Sequence, residues 1–273
     1  MREKQRAAEK RRRFFIQGGI GVAIIAIAVI VTLVIVQNNA NNVVAASQAG
    51  GPKNMISDGI LFHGVDGKAT AVETAAIKKG GKPVATDESK LKKTANIVEY
   101  IDLQCPYCQE FIETNLANED KWVAAGKATL EIHPISFLDE SSLGNRYSSR
   151  AANAVACVAA YDPNSVLGVL KVMYKDQPAE DTDGATNAKI LSMLSAGGVS
   201  NKKVTGCVNG ESYKSWVTAA TARANVSVFG GSSTNNLIST PTVIVNGQKY
   251  TGSLTSASTF TKFVNSVKPG TAS

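Results

Sequence analysis

Two cysteines separated by two residues are the strongest chemical signal in the sequence. Cys105-Pro106-Tyr107-Cys108 follows an apolar run, residues 97–103, whose β-branched and aromatic side chains predict a buried strand. Apolar residues at helical spacing then predict a helix from about 108 to 125. Cys105 should therefore lie near a helix N-terminus, where free N–H groups and the helix dipole favour a thiolate. Because this spacing lets the second thiol attack a mixed disulfide on the first, it predicts redox chemistry.

Two other readings of this motif are weaker. A CxxC can be half of a zinc site, but the sequence has no second CxxC, and its only histidines are His63 and His133. A static disulfide would gain little, because closing so short a ring removes little chain entropy. We expect both histidines to be structural, His63 as a strand residue and His133 in extended backbone before Pro134.

The other two cysteines, Cys157 and Cys207, fall in predicted helices among apolar neighbours. Four cysteines, an even number, suit two disulfides in an oxidising compartment. We expect a structural Cys157–Cys207 disulfide that closes a loop of about 50 residues. The alternatives are a second redox pair that relays electrons from the CxxC, and two unpaired buried thiols.

The positive charge is concentrated at the N-terminus. Residues 1–13 contain seven Lys or Arg and two Glu, so this tail carries +5 of the total +7. The positive charge left for the rest of the chain is too small to indicate nucleic-acid binding. Residues 14–36 are then apolar except for Gln17 and Thr32 and contain no charge. These 23 residues are long enough to cross a bilayer, and the basic flank predicts a cytoplasmic N-terminus.

We therefore expect an uncleaved transmembrane anchor at 14–36. A cleaved signal peptide is the alternative, with a weak small-residue site at Ala45-Ala46-Ser47. Residues 37–54 are rich in Asn, Ala, Ser and Gly and predict a flexible tether. The globular domain should occupy residues 55–273.

Within that domain, strands are predicted near 59–63, 69–73 and 128–135. Residues 141–225 change to helical spacing, with helices near 142–161, 165–175, 185–196, 201–208 and 211–224. Asn246-Gly247 between two strand-like runs predicts a hairpin, and 255–267 predicts a closing helix.

This order of motifs resembles the DsbA-like branch of the thioredoxin superfamily, in its membrane-anchored Gram-positive form. The elements that carry the resemblance are the strand, the CxxC, its helix, a helical insertion, and Thr240-Pro241 before a hairpin and a last helix. The resemblance implies an α/β thioredoxin fold, in which helices flank a central mixed sheet. An all-helical block is inserted in that fold, and one transmembrane helix precedes it.

The resemblance also implies roles for individual residues. Cys105 corresponds to the exposed nucleophile, Cys108 to the resolving thiol, and Pro241 after Thr240 to a cis-proline beside the motif. Glu99, six positions before Cys105, corresponds to a buried proton carrier. The strand pattern agrees, because Ile97, Glu99, Ile101 and Leu103 share one face, so burial should raise the pKa of Glu99. The alternative for Glu99 is a paired structural carboxylate.

One departure concerns the dipeptide Pro106-Tyr107, because many DsbA-like oxidases have Pro-His there. A neutral tyrosine stabilises the thiolate less, which predicts a less oxidising disulfide than in the strongest members. We expect an extracytoplasmic oxidoreductase that introduces disulfide bonds into secreted or cell-envelope proteins. The alternatives are a reductase or isomerase using the same cysteines, and a thiolate module that binds a soft metal ion.

The expected partners follow from this activity. They are folding exported proteins with free cysteines, the membrane through residues 14–36, and a quinone-linked membrane reoxidant of the DsbB or vitamin K epoxide reductase type. We expect a single-pass protein of the cell membrane with its catalytic domain outside. The sequence predicts no cofactor, no resident metal and no nucleic-acid partner.

Overall fold

A computed structural model of the chain describes residues 50–87, 91, 94–226 and 239–267. The predicted tail, the predicted anchor and most of the predicted tether lie outside these residues. Within the described ranges, no helix combines the length and apolar character needed to span a membrane.

A six-stranded mixed sheet forms the centre of the domain. Its strands are β1 (Ile60–Val65), β2 (Lys68–Ala71), β3 (Ala95–Asp102), β4 (Ala128–Ile135), β5 (Thr242–Val245) and β6 (Gln248–Lys249). They lie in the order β2-β1-β4-β3-β5-β6. The central pair β3 and β4 is parallel, and every other pairing is antiparallel. Because a parallel pair needs a crossover, a helix must connect β3 to β4.

That crossover is helix α1 (Pro106–Ala124), which packs on one face of the sheet with the C-terminal helix α7 (Ala257–Ser266). Successive side chains of β3 point to opposite faces of the sheet, so they contact different helical layers. Ile97, Glu99 and Ile101 are buried on the α1 side, where Phe111 of α1 meets Phe260 of α7 edge to face at 5.1 Å between ring centroids. Asp102 faces the opposite layer.

The opposite layer is the helical block between β4 and β5. It contains α2 (Tyr147–Tyr161), α3 (Val166–Lys175), α4 (Asn187–Ala196), α5 (Lys202–Asn209) and α6 (Lys214–Val226). Helix α2 is its core, since nearly all of its side chains are buried. Two of these helices begin three or more residues later than predicted. Arg146, just before α2, and Glu211, before α6, have positive φ angles of 55° and 44°, which interrupt the helical backbone.

The N-terminal boundary also differs from the prediction, which placed residues up to 54 in the tether. The Gly51 N–H donates to the Ile77 carbonyl at 2.9 Å, and the Asn54 side chain donates to the Ala159 carbonyl at 2.8 Å. Nearby, Asp58 accepts two hydrogen bonds from the Arg223 guanidinium and one from the Trp216 indole at 3.0 Å. The segment from Gly51 onward is thus packed against the domain. The mixed sheet with helices on both faces confirms the predicted α/β architecture.

Candidate active site

Cys105 occupies the N-cap position of helix α1, with Pro106 as the first helical residue. Its backbone is extended, with φ −75° and ψ 120°. Proline suits this position because the first N–H groups of a helix have no intrahelical acceptor. Cys108 lies in the first turn and is completely buried, whereas Cys105 retains 4% of its surface. The resemblance implied an exposed nucleophile. Cys105 is more exposed than Cys108, but it is itself largely buried.

The pKa values of the two free thiols are shifted in opposite directions. A hydrogen bond with Cys108 is the largest influence on Cys105. Together with the Thr240 side chain and the N–H groups of Tyr107 and Cys108, it outweighs burial and lowers the pKa of Cys105 to about 6. Burial, followed by the proximity of Cys105, raises the pKa of Cys108 well above its usual value. At neutral pH the pair is therefore a thiolate at Cys105 and a thiol at Cys108.

The loop before β5 forms one wall of this site. The Thr240–Pro241 peptide bond is cis. The Thr240 carbonyl oxygen lies 3.3 Å from Cys105 Sγ, within reach of the thiol proton when the sulfur is protonated. Strand β5 starts at the next residue and pairs with β3, with Thr242 opposite Tyr100. The sheet therefore brings together two motifs separated by 135 residues.

Asp102, at the end of β3, holds the turn that leads into Cys105. Its Oδ1 accepts from the Gln104 N–H at 2.9 Å, and its Oδ2 accepts from the Ser148 hydroxyl at 2.6 Å and the Leu138 N–H at 3.0 Å. Burial raises the pKa of Asp102 although these hydrogen bonds oppose the shift. The carboxyl group thus links the turn to the segment after β4 and to helix α2 by hydrogen bonds.

Three glutamines secure the same turn from the helical side. Gln177 Nε2 donates to the carbonyls of Leu103 at 2.9 Å and Cys105 at 3.2 Å. Gln104 Nε2 donates to the Ser141 carbonyl at 2.8 Å, and Gln109 Nε2 donates to the Tyr174 carbonyl at 2.7 Å. These bonds fix the backbone around the nucleophile. No pattern in the sequence singled them out, because they depend on contacts between residues far apart in the chain.

Glu99 is fully buried under the active-site helix, as the strand pattern predicted, and it faces a second buried carboxyl. Burial raises the pKa of Glu99 to about 7, although a hydrogen bond with the Glu119 side chain opposes this shift. Burial, and then the charge of Glu99, raise the pKa of Glu119 well above its usual value. Sequence reasoning missed Glu119, yet it continues the helical spacing of Phe111, Ile112, Leu116 and Val123 on the buried face of α1.

The remaining sequence-predicted residues have separate places. Tyr107 is exposed beside Cys105, with 61% of its surface accessible. His63 is an exposed residue of β1. His133 is buried in β4, stacks on Tyr100 with 4.5 Å between ring centroids, and places Nε2 3.1 Å from Glu131. In the described part of the chain, no group of three or more His, Cys, Asp or Glu side chains could hold a metal ion.

Cys157 and Cys207 form a disulfide in the helical block, with Cα atoms 5.8 Å apart. It links α2 to α5, and both sulfurs belong to buried residues of the core. This bond lies in the helical layer, whereas Cys105 and Cys108 begin the helix on the other face of the sheet. The four cysteines are therefore two chemically separate pairs.

Comparisons with known proteins agree with this geometry. A family model described as thioredoxin matches residues 90–266. The reduced form of a disulfide bond oxidoreductase (DsbG) from Mycobacterium tuberculosis is 30% identical over 64% of this chain and 80% of that chain, with a TM-score of 0.53. Oxidised DsbA from the same organism is 26% identical over 77% of this chain and 95% of that chain, with a TM-score of 0.55.

A more distant structure has the same fold. MdbA, a thiol-disulfide oxidoreductase from Actinomyces oris, is 20% identical over 65% of this chain and 83% of that chain, with a TM-score of 0.51. A comparison with curated proteins gives no match.

Proposed function

The chain belongs to the thioredoxin family and is a DsbA-like thiol-disulfide oxidoreductase, and we propose that it works as an oxidase that introduces disulfide bonds into exported proteins. The observation that carries this proposal is the stabilised thiolate of Cys105 at the N-terminus of α1. Stabilising the thiolate stabilises the reduced enzyme, and this makes the Cys105–Cys108 disulfide a better oxidant.

The reaction uses the disulfide form of the enzyme. A substrate thiolate attacks Cys105 Sγ, the Cys105–Cys108 bond breaks, and its electron pair leaves on Cys108 Sγ, which takes up a proton. A second substrate thiolate then attacks the substrate sulfur of the mixed disulfide and releases Cys105 as a thiolate. The substrate dithiol loses two electrons and becomes a disulfide, and the enzyme disulfide gains them.

Accessibility and acidity support a different role for each of the two sulfurs. Cys105 is the more accessible cysteine and the better leaving group, since its pKa is lowered. Cys108 has no exposed surface and retains its proton at neutral pH, so substrate attack there is disfavoured. The Thr240 carbonyl and side chain lie beside the reactive sulfur.

Turnover requires an oxidant that takes two electrons from the reduced pair. We assign this role to a quinone-linked membrane protein, because the apolar span at 14–36 would hold both proteins in one membrane. The basic residues before the span support an extracytoplasmic catalytic domain. Substrates would then be secreted or cell-envelope proteins that still carry free cysteines.

The reduction potential of Cys105–Cys108 tests the direction of catalysis. We expect a value between about −270 mV, the potential of thioredoxin, and about −120 mV, the potential of a strongly oxidising DsbA. The pKa of about 6 for Cys105 lies between the thiol pKa values of about 7 and about 3.5 of those two proteins.

Activity should be measured on a reduced, unfolded protein that contains several cysteines. The oxidised full-length protein should form disulfides in it stoichiometrically, and Cys105→Ser should abolish this transfer. A potential at or below that of thioredoxin would favour the reductase reading. Efficient rearrangement of wrongly paired disulfides would favour the isomerase reading. Stoichiometric soft metal bound to Cys105 and Cys108, without disulfide transfer, would favour the metal-binding module.

A further inference from the structure

Beneath the active site, the described core contains a pair of carboxyl groups that no other side chain or N–H group satisfies. All four oxygens of Glu99 and Glu119 are buried, and none accepts a hydrogen bond from an N–H group or a hydroxyl group of another described residue. Both residues are completely inaccessible to solvent. Buried polar atoms are nearly always hydrogen-bonded, so an arrangement of this kind calls for a physical explanation.

The neighbouring strands provide no alternative partner for Glu99. Across the sheet it pairs with Ile132 of β4 and Val243 of β5, both apolar and buried. Glu131 and His133 occupy alternate positions of β4 and so face the other side of the sheet. Among the described elements that flank Glu99, helix α1 supplies its polar partner, the Glu119 side chain.

The buried face of α1 carries a line of polar side chains that ends at Glu119. Cys108, Asn115 and Glu119 are separated by seven and four residues, so they lie within about 40° of one another around the helix. Asn115 is itself buried, and its Oδ1 also accepts no hydrogen bond from a described donor. Asn115 thus lies on the same face of the helix as Cys108 and Glu119, about two turns from the first and about one turn from the second.

Other titratable groups approach this region from two further elements. Tyr174 of α3 lies within electrostatic range of Glu99 and of both active-site cysteines, and Asp102 of β3 lies near Cys108. Both are occupied, because the Tyr174 hydroxyl donates to the Asp102 carbonyl at 3.1 Å and the Asp102 carboxyl accepts from Ser148. Strands β1 and β2 and helix α7 bring apolar residues to this face, including Phe62, Ala71 and Phe260.

We propose that Glu119 is a positioning residue for proton transfer at Cys108: it keeps its own proton, donates that O–H to the carboxylate of Glu99, and thereby sets the pH at which Glu99 exchanges a proton with the buried thiol. The inference rests on the proposed function, together with the role of buried proton carrier that the family resemblance implies for Glu99. The physical basis is that two buried carboxyls side by side cannot both ionise, so one retains a proton and the pair titrates as a unit.

The proton balance follows the redox step. When the Cys105–Cys108 bond is cleaved, the sulfur of Cys108 gains an electron pair, and neutral Glu99 supplies its proton, leaving a carboxylate that Glu119 stabilises. When Cys108 attacks a mixed disulfide on Cys105, Glu99 takes the proton back. Glu119 remains protonated in both directions and touches no reacting atom.

Two substitutions at Glu119 separate this role from packing. Glu119→Gln retains an N–H donor of almost the same shape, so the pH midpoint of Glu99 should stay within about half a unit of the wild-type value. Glu119→Leu removes the donor, so the carboxylate of Glu99 loses its hydrogen bond and its midpoint should rise by about one unit or more. Glu113→Gln, an exposed position on the same helix, is the matched control.

The direct measurement is NMR of the carboxyl carbons in reduced, full-length protein labelled at glutamate, from pH 4 to 10. Glu99→Gln gives a second, reciprocal test that does not need the Leu variant to fold. Without the charge of Glu99, Glu119 should titrate at lower pH than in the wild type. Equal Glu99 midpoints in the Gln and Leu variants, or an unchanged Glu119 in Glu99→Gln, would overturn the proposal.

The kinetic measurement is the pH dependence of resolution by Cys108 of a mixed disulfide between Cys105 and a small thiol. Its midpoint should move with the carboxyl midpoint in Glu119→Leu and not in Glu119→Gln. This reaction does not depend on the direction of net catalysis, so a protein that fails to oxidise substrates could still support the inference. A carboxyl shift without any shift in the resolution profile would refute it, whatever the oxidase assay shows.

Discussion

At the scale of single residues, the reactivity of the active site depends on an asymmetry between two chemically identical side chains. Cys105 and Cys108 are three residues apart, but only Cys105 is at the helix N-cap, where N–H groups point towards its sulfur. Cys108 lies one turn inside the helix against the apolar core. The same short segment thus provides a leaving group that ionises easily and a buried thiol that keeps its proton until a base removes it.

This asymmetry predicts which thiol reacts first. In reduced protein at pH 6 to 7, iodoacetamide should modify Cys105, with a rate that reaches half its maximum near pH 6. An unperturbed thiol of pKa about 8.5 would be almost entirely protonated there. Because the hydrogen bond with Cys108 is the largest cause of the shift, Cys108→Ala should move the midpoint to higher pH. Preferential modification of Cys108 in the wild type would contradict the assignment.

A buried carboxylate on the other face of the sheet predicts a pH dependence of stability. Burial would raise the pKa of Glu131, but hydrogen bonds and charge from His133, with help from Ser57 and Thr86, lower it to about 2. Since this folded-state pKa lies below the ordinary glutamate value of 4.5, the stabilisation is present above about pH 4.5 and is lost as the pH falls towards 2.

Glu131→Gln should therefore reduce the free energy of unfolding at pH 7, by up to about 3 kcal/mol. The difference from the wild type should shrink between pH 5 and pH 3, as measured by urea unfolding. Glu113→Gln, which removes an exposed charge, is the control. A difference that stays constant over this range would mean that Glu131 acts by packing alone.

Part of the site could be read from the sequence because its signals are local. The CxxC, the alternation of β3 around Glu99, and Thr240-Pro241 before a strand are all visible within a few residues. Glu119 was missed because the helix was judged by its apolar positions, although Glu119 fits the same spacing. Asp102 and Gln177 could not have been found, because their partners, Ser148 and the Cys105 carbonyl, are 46 and 72 residues away.

At the scale of helices and strands, sequence pattern located the elements well and their ends less well. Strand β4 has the predicted bounds, 128–135, because hydrophobic alternation defines both of its ends. Helix α2 begins five residues after the predicted position, because a 3₁₀ turn at Asp139–Ser142 and the left-handed Leu143 and Arg146 precede it. Left-handed backbone at non-glycine residues depends on tertiary contacts, and hydrophobic periodicity does not reveal it.

The disulfide between α2 and α5 should matter for stability and not for turnover. Closing a loop of 50 residues corresponds to about 4 kcal/mol in the chain-entropy model. Replacing both Cys157 and Cys207 with Ser should therefore lower the melting temperature by on the order of 10 °C. The rate of disulfide transfer per folded molecule should change little.

Differential reduction provides an independent check on this bond. Under mild dithiothreitol, the Cys105–Cys108 disulfide should be reduced first, because Cys105 is a good leaving group and retains some exposure, whereas Cys157 and Cys207 are core residues. A large loss of turnover with an unchanged melting temperature would show that Cys157–Cys207 takes part in electron transfer.

At the scale of the whole molecule, the proposed function depends on where the catalytic domain is held. The domain is packed from Gly51 onward, so the predicted tether between the apolar span and the domain has about 14 residues, 37–50. A flexible chain of that length has a typical end-to-end distance of about 20 Å. Such a tether would keep the catalytic domain within reach of an oxidant embedded in the same membrane.

Membrane attachment can be measured directly on the full-length protein. It should fractionate with membranes and resist extraction with alkaline carbonate, and deletion of residues 1–36 should release it without loss of disulfide transfer in solution. N-terminal sequencing of the mature protein is the control for cleavage. A mature chain that begins near Ser47 would show that a signal peptidase removes the span.

The long separation between the two halves of the active site has a consequence for biosynthesis. Cys105 and Cys108 are made well before Thr240, whose carbonyl and side chain complete the environment of the Cys105 sulfur. A ribosome adds about 5 to 20 residues per second, so the dithiol exists for roughly 7 to 27 s before its partner strand is synthesised. A chain cut short before residue 240 would contain Cys105 and Cys108 but would lack Thr240, which helps to lower the pKa of Cys105. The order of the elements thus makes full reactivity a property of finished chains, and prematurely terminated products would be poor oxidants.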